Sequence, residues 1–230
     1  MLTAAAILAG TALVTLAIPA PWSGSPADQD SAAASTAATL QVVLTTASIV
    51  LFFSAMYAGS VALPLFVTRD LHQPDSAVGV LFSVCATVEI LAALGLAAIP
   101  ARISQRLLIL GGMGTFVLYF AITVIARGMG LLLLGQAARG VAIAVVGAAG
   151  IRYFQGLLAP ETGRATTLFS NASTAGSLVA GVLAGAAIGF FGYATTLVLC
   201  GVTAAAAAVT FAASRRWSTV DSMSESLANN

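Results

Sequence analysis

Two long stretches of this chain contain no charged residue, residues 41–68 and 165–214. About 20 consecutive apolar residues form a helix long enough to cross the hydrocarbon core of a bilayer, which is about 30 Å thick. The first stretch can hold one such helix, and the second can hold two, joined by a tight turn at Gly192-Tyr193. Transmembrane β-strands would alternate apolar and polar residues with period two, and no such alternation is visible. The pattern predicts membrane-spanning α-helices.

The rest of the sequence extends this prediction to an all-α, polytopic membrane helix bundle in contact with the lipid bilayer. Hydrophobic residues make up 59% of the chain and charged residues 7%, whereas soluble domains carry about 25% charged residues. Seven segments have the length and apolarity of a span, at approximately 2–20, 42–67, 77–99, 106–126, 130–158, 166–190 and 193–213.

The predicted spans divide the chain into four parts. Residues 1–20 form a first transmembrane helix; a secretory signal peptide is the alternative, although a basic n-region is missing. Residues 21–40, rich in Ser, Ala, Pro and Gly, are predicted to be a flexible cytoplasmic linker. Residues 41–214 form a six-helix bundle, and residues 215–230 form a polar cytoplasmic tail.

The arginines predict the orientation of the bundle, because the cytoplasmic side of a membrane protein carries the excess of basic residues. With the C-terminus in the cytoplasm, the inner set of arginines is larger than the outer one. The inner set is Arg102, Arg106, Arg164, Arg215 and Arg216, and the outer set is Arg69 and Arg127. The predicted location is therefore the plasma membrane, with several spans and a cytoplasmic C-terminus.

Glycines recur at helix-packing spacing in the predicted span 166–190. Gly181, Gly185 and Gly189 form a GxxxGxxxG row on one face of that helix. Small residues let helices approach closely in lipid, where the hydrophobic effect does not drive them together. We expect this row to pack against another helix.

Two charged residues are predicted to lie deep in the membrane, where charge is costly and usually faces protein or a water-filled cavity. With a helical rise of about 1.5 Å per residue, Glu89 lies roughly 20 Å and Arg139 roughly 14 Å from the outer end of its span. We expect these side chains to face each other or to share one polar cavity, where Glu89 would carry a proton or bind substrate. The alternative is a buried ion pair that only fixes helix register.

Uncharged polar and aromatic side chains on the same helices could complete a substrate cavity. A neutral sugar needs many hydrogen-bonding groups and an aromatic face. The predicted cavity residues are Tyr57, Gln136, Tyr153, Gln155, Asn171 and Ser173.

Several functional classes are not predicted. The net charge of +1 gives no reason to expect nucleic-acid binding. The chain has one His, two Cys and no CxxC or HExxH pattern, so we predict neither a metal site nor a cofactor. No nucleophile has a base near it in sequence, which argues against an enzyme.

The predicted fifth and sixth spans resemble the sugar efflux transporters of the major facilitator superfamily. The residues that carry the resemblance are Tyr153-Phe154-Gln155, Gly163, Ala165-Thr166-Thr167-Leu168, Asn171, Ser173, Gly176 and Ala180-Gly181. Glu89, followed by the short Arg102–Arg106 loop, also resembles that family. The resemblance covers residues 41–216 and implies that the seven spans correspond to helices 6–12 of such a transporter.

The resemblance implies export of sugars or sugar analogues, by alternating access and in exchange for protons. Such transporters have two helical repeats with the substrate site between them, so the chain is expected to need a second transporter half or a second copy of itself. Two alternatives remain open. One is an exporter of drugs or other small molecules from the same superfamily, and the other is a non-transporting membrane remnant or assembly subunit.

Overall fold

A computed structural model describes residues 29–98 and 103–214. Five helices are long and apolar enough to cross a membrane. They are α1 (Gln29–Leu65), α2 (Asp75–Ala97), α3 (Gln105–Ile125), α4 (Met129–Leu157) and α5 (Thr162–Ala213). A π-helix, Phe66–Asp70, continues α1. The predicted all-α, polytopic helical fold is confirmed, with five helices in place of the seven predicted spans.

The smaller helix count has two reasons. Helix α5 is 52 residues long and contains a break at Gly192, whose φ of 79° is readily adopted only by glycine. Its two arms, residues 162–191 and 193–213, correspond to two of the predicted spans, and the break lies at the predicted turn. The predicted first span, residues 2–20, lies outside the described residues, as does the predicted tail, residues 215–230.

The predicted linker differs from the structure where the two can be compared. Helix α1 begins at Gln29, so residues 29–40 are helical, while residues 21–28 lie outside the described part. Residues 32–38 include five alanines, and alanine has the highest intrinsic helix propensity. The helix propensity of these alanines outweighs the preference of the intervening Ser and Thr residues for loops.

The helices pack around α1 and α4. Helix α1 lies against both arms of α5, and α4 contacts α2, α3 and α5. Aromatic rings join α1 to α3: the Phe52 and Phe116 ring centroids are 4.8 Å apart, and those of Phe116 and Phe120 are 5.1 Å apart. The core is continuous across all these helices.

The closest helix contacts depend on two glycines. A Cβ atom at Gly140 of α4 would lie 2.5 Å from the carbonyl oxygen of Cys85 in α2, and one at Gly176 of α5 would lie 2.9 Å from that of Val50 in α1. Both distances are too short for carbon and oxygen atoms that are not bonded. The two helix pairs therefore approach as they do because these positions have no side chain.

The predicted glycine row has no such contact. Gly181, Gly185 and Gly189 are exposed, and a Cβ atom at any of them would meet nothing within 4 Å in the described part of the chain. The face of α5 that packs on α1 carries a different row, made of Ala172, Gly176, Ala180 and Ala184. The predicted packing of the three glycines against another helix is thus not seen among the described residues.

Arg106 fastens the start of α3 to the end of α5. Its guanidinium donates hydrogen bonds to the carbonyl oxygens of Phe211 (2.9 Å) and Ala212 (2.8 Å) and to the Ser214 hydroxyl (3.3 Å). Its Cζ atom also lies 5.0 Å from the centre of the Phe211 ring. The last carbonyl groups of a helix have no partner within the helix, so this arginine caps α5.

The glycine contacts predict a difference between two otherwise identical substitutions. Gly140→Ala should lower the free energy of unfolding by about 1–3 kcal/mol, because the added methyl group forces α2 and α4 apart. Gly181→Ala should be neutral or stabilising by up to about 1 kcal/mol, since alanine favours helix and nothing described lies against it. Unfolding in mixed micelles with rising SDS would measure both, and equal effects of the two substitutions would contradict the contact at Gly140.

Candidate functional site

Arg139 lies in the middle of α4 with only 5% of its surface exposed, and groups from four helices surround it. Its Nη2 donates a hydrogen bond of 2.6 Å to the Ser60 hydroxyl on α1, and its Nη1 one of 3.4 Å to Oε1 of Gln136 on α4. Its Cζ atom lies 5.2 Å from the ring centre of Phe82 on α2 and 5.8 Å from that of Tyr119 on α3. We call these five residues the Arg139 centre.

The local sequence of α4 explains the position of the centre. Gln136 and Arg139 are three residues apart, so they share one face of the helix. Gly140 follows Arg139 directly and lets α2 approach, which brings the Phe82 ring within reach of the guanidinium. Aromatic faces attract a cation, and this attraction strengthens where water is excluded. The charge is thus stabilised by one hydroxyl, one amide and two rings.

The Arg139 centre has unused hydrogen-bonding capacity. The Tyr119 hydroxyl and Nε2 of Gln136 are both buried and lie beside each other, and neither makes a well-formed hydrogen bond to a described residue. A buried polar group without a partner costs about 1–3 kcal/mol, and most buried polar groups have one. The centre therefore offers a hydroxyl and an amide N–H to a hydroxyl-bearing ligand, next to a fixed positive charge.

The backbone of Glu89 lies beside the Arg139 centre, but no hydrogen bond or ion pair links its side chain to the described residues of that centre. A Cβ atom at Gly140 would lie 3.0 Å from the Glu89 backbone nitrogen, so α2 and α4 touch beside both residues. The Glu89 side chain is half-buried. Among the described residues, no hydrogen bond or ion pair connects its carboxylate to Arg139. The ion pair that the described residues do form, between Glu161 and Arg164 at 3.0 Å, lies at the start of α5. The guanidinium instead turns towards Ser60 of α1.

Three of the predicted cavity residues lie at or near the surface of the described bundle. Tyr57 is 37% exposed, and its ring stacks on that of Phe53 with a centroid distance of 6.2 Å. Asn171 is exposed and Ser173 is half-buried, both on the first arm of α5. These residues are not gathered around the Arg139 centre.

Two further predicted cavity residues join helices. The Tyr153 ring packs edge-on against that of Phe211, with centroids 5.4 Å apart, and so connects α4 to the second arm of α5. Nε2 of Gln155 donates a hydrogen bond of 3.3 Å to the Thr166 hydroxyl and connects α4 to the first arm. Of the six predicted cavity residues, the structure brings only Gln136 to Arg139.

Ser60, Phe82 and Tyr119 were not among the residues predicted from the sequence. Each lies in an apolar span where Ser, Phe and Tyr are ordinary residues, and each comes from a different helix. The one signal in the sequence was Arg139 itself, since a buried arginine must have partners. Which partners it has depends on how the helices pack.

Comparison with known proteins identifies a family whose model matches residues 44–226, described as the Major Facilitator Superfamily. A protein of Deinococcus radiodurans whose name contains the words sugar efflux transporter is 38% identical over 161 residues, which cover 70% of this chain and 41% of that protein. Sugar efflux transporter B of Salmonella typhimurium is 31% identical over 131 residues, covering 57% of this chain and 33% of that protein.

Sugar efflux transporter A of Dickeya chrysanthemi is 30% identical over 148 residues, covering 64% of this chain and 37% of that protein. The chain thus spans less than half the length of each of these curated relatives.

The geometry of the Arg139 centre predicts that arginine cannot be replaced by lysine there. Lysine carries a point charge without the planar fork that reaches Ser60 and stacks on two rings. Arg139→Lys should lower the free energy of unfolding by about 2–3 kcal/mol, given the usual contribution of hydrogen bonds to charged groups. Arg152→Lys, at an exposed position of α4, should change it by less than about 0.5 kcal/mol.

A double-mutant cycle with Ser60→Ala tests whether the two residues act together. Because they share a hydrogen bond, the effects of Ser60→Ala and Arg139→Lys should fall short of additivity by about 0.5–3 kcal/mol. Strict additivity in SDS unfolding would show that the hydrogen bond contributes nothing.

Proposed function

This chain belongs to the major facilitator superfamily, and on that premise we propose that it supplies one helical half of an exporter of sugars or sugar analogues. The names of its relatives support this cargo, since three of them are sugar efflux transporters by name. The single observation that carries the proposal is the match of residues 44–226 to the family together with these relatives.

The proposal includes a partner. Transporters of this superfamily have two six-helix halves, with the substrate site near the middle of the membrane between them. The chain covers 41% of the Deinococcus radiodurans relative, so a complete site requires a second half or a second copy of this chain. The exposed row of Gly181, Gly185 and Gly189 supports this, because it offers a partner helix a surface for close approach.

Sugar binding would use the spare polar groups of the Arg139 centre. The Tyr119 hydroxyl and Nε2 of Gln136 are buried and make no well-formed hydrogen bond to the described part of the chain, and a sugar hydroxyl can both donate and accept hydrogen bonds. Tyr57, which is partly exposed, offers an aromatic face to a sugar ring. Movement of the helices during alternating access would open the centre to the cavity.

Glu89 is the proposed proton carrier. Its carboxylate is half-buried and has no hydrogen bond or ion pair among the residues that the structure describes. As a carboxylate near the Arg139 centre that is not engaged in an ion pair there, it is the group we propose to carry the proton as the cavity changes sides. Arg139, held by Ser60 and the aromatic rings, would instead keep a fixed positive charge near the cargo.

We further propose a plasma-membrane location with the C-terminus in the cytoplasm. Arg106 near the start of α3 and Arg164 near the start of α5 lie at one end of the bundle, and Arg69 and Arg127 lie at the other. In the sequence, Arg102 precedes α3, and Arg215 and Arg216 follow α5; all three lie outside the described residues. The larger arginine set thus marks the cytoplasmic side.

Export is best tested in a chimera that contains both halves. The 161-residue matched segment of the Deinococcus radiodurans relative would be replaced by the corresponding segment of this chain and the product reconstituted into vesicles. The chimera should transport a radiolabelled sugar analogue when a proton gradient is applied, and an ionophore that collapses the gradient should stop it. A chimera that inserts correctly but moves no sugar analogue would refute the proposed cargo.

The role of Glu89 is tested in the same vesicles with a matched carboxylate as control. Glu89→Gln should abolish transport driven by the proton gradient, because the amide cannot bind and release a proton. Glu161→Gln, at the exposed carboxylate that pairs with Arg164, should leave it unchanged. Gradient-driven transport that survives Glu89→Gln would exclude Glu89 as the proton carrier while leaving the sugar proposal intact.

A further inference from the structure

A crevice of about 160 Å³ lies between α1 and the two arms of α5, close to the break at Gly192. Helix α1 contributes Ala58 to its wall, the first arm of α5 contributes Ala187, Phe190 and Phe191, and the second arm contributes Cys200 and Thr203. The crevice exists because six of its fourteen lining residues are alanines, which are too small to fill the space between three helical segments. None of the residues of the Arg139 centre lines it.

The wall of the crevice offers no free hydrogen-bond donor except the weak S–H donor of Cys200. The Ser54 hydroxyl donates a hydrogen bond to the Val50 carbonyl oxygen at 2.8 Å. The hydroxyls of Thr196 and Thr203 donate in the same way to carbonyl oxygens one turn earlier, at 2.7 and 2.9 Å. No charged residue lines the crevice. A sugar would therefore lose its hydrogen bonds to water there and find only the acceptor lone pairs of three hydroxyls in return.

The size of the crevice fits hydrocarbon. An apolar cavity of about 150 Å³ stays dry and takes up a molecule of the size of benzene. Along the helices, the wall runs from the bend at Gly192 inward to Ala180 on one arm and to Thr203 on the other, roughly 15–18 Å at about 1.5 Å per residue. That length is close to half the bilayer core, about 15 Å, which is the depth of one leaflet.

The mouth of the crevice opens at the outer surface of the described bundle. Phe190 and Phe191, which line it, are 77% and 59% exposed. On the same arms, Val182 and Val202 are 75% and 62% exposed. Exposed apolar side chains of this kind suit contact with lipid tails, so the acyl chains of the surrounding leaflet are the occupants that the chemistry of the mouth favours.

We propose that this crevice binds part of one acyl chain of a membrane phospholipid, which enters beside Phe190 and Phe191 and lies along α1 and both arms of α5. The bound chain fills the space left by the alanines and links the two arms of α5 to α1. The site is independent of the proposed sugar export, because it shares no residue with the Arg139 centre.

Photolabelling with a lipid tests the proposal. The full chain would be reconstituted in phosphatidylcholine vesicles containing phosphatidylcholine with a diazirine in the middle of one acyl chain, irradiated, digested and analysed by mass spectrometry. We expect label at Ala58, Ala187 and Cys200, at levels above that at the exposed Val209. Ala58 and Cys200 are 8% and 5% exposed, so labelling of them requires a chain inside the crevice.

Two substitutions that fill the crevice provide the decisive comparison. Ala58→Leu and Ala187→Leu should each reduce the label at Cys200 several-fold while leaving that at Val209 unchanged. Ala121→Leu, an equal enlargement at an exposed position of α3, should change neither. Unfolding in SDS would confirm that each variant is folded. If one of the two filling variants does not fold, the other still tests the proposal.

Three results would overturn the proposal. The first is label at Cys200 no higher than background in the unsubstituted chain, and the second is label that persists in both filling variants. The third is labelling of Cys200 by a small photoreactive aromatic compound in detergent but not by the lipid in vesicles, which would assign the crevice to a small apolar molecule.

Discussion

The close approach of α2 to α4 at Gly140 is the contact on which the polar centre of this protein depends. In lipid the hydrophobic effect does not drive helices together, so their association depends on close packing of the helix surfaces. A Cβ atom at Gly140 would lie 2.5 Å from the Cys85 carbonyl oxygen. Arg139 is the adjacent residue, so the same approach brings its guanidinium against Phe82 of α2 while Ser60 of α1 accepts its hydrogen bond.

The two intramembrane charges beside this contact have different environments. Arg139 is buried and held by groups from four helices, whereas Glu89 is half-buried and unpaired among the described residues. The crevice between α1 and the arms of α5 differs from the Arg139 centre in being apolar, since its hydroxyls all donate to carbonyl oxygens of their own helices. Polar cargo and lipid would thus be kept apart.

The spans and the turn at Gly192 could be predicted because they depend on local properties, namely apolar length and the φ angle that glycine permits. The family could be predicted from motifs in α4 and α5. The site could be predicted only in part. Gln136 and Arg139 share a helix face three residues apart, so their association follows from helix geometry, but Ser60, Phe82 and Tyr119 join them from other helices. Residues 29–40 were predicted to be linker because they are rich in Ser and Ala, and they form the start of α1.

The sequence by itself determined that the chain crosses a membrane as α-helices, since lipid cannot hydrogen-bond to the backbone and only helices satisfy these groups within each segment. Only the tertiary structure decided which small residues bring helices together. Gly140 and Gly176 face a neighbouring backbone, while Gly181, Gly185 and Gly189, which have the stronger sequence pattern, face away from it. The spacing of glycines sets which of them share a face, but the rotation of each helix about its axis sets where that face points. That rotation results from the packing of all the helices at once.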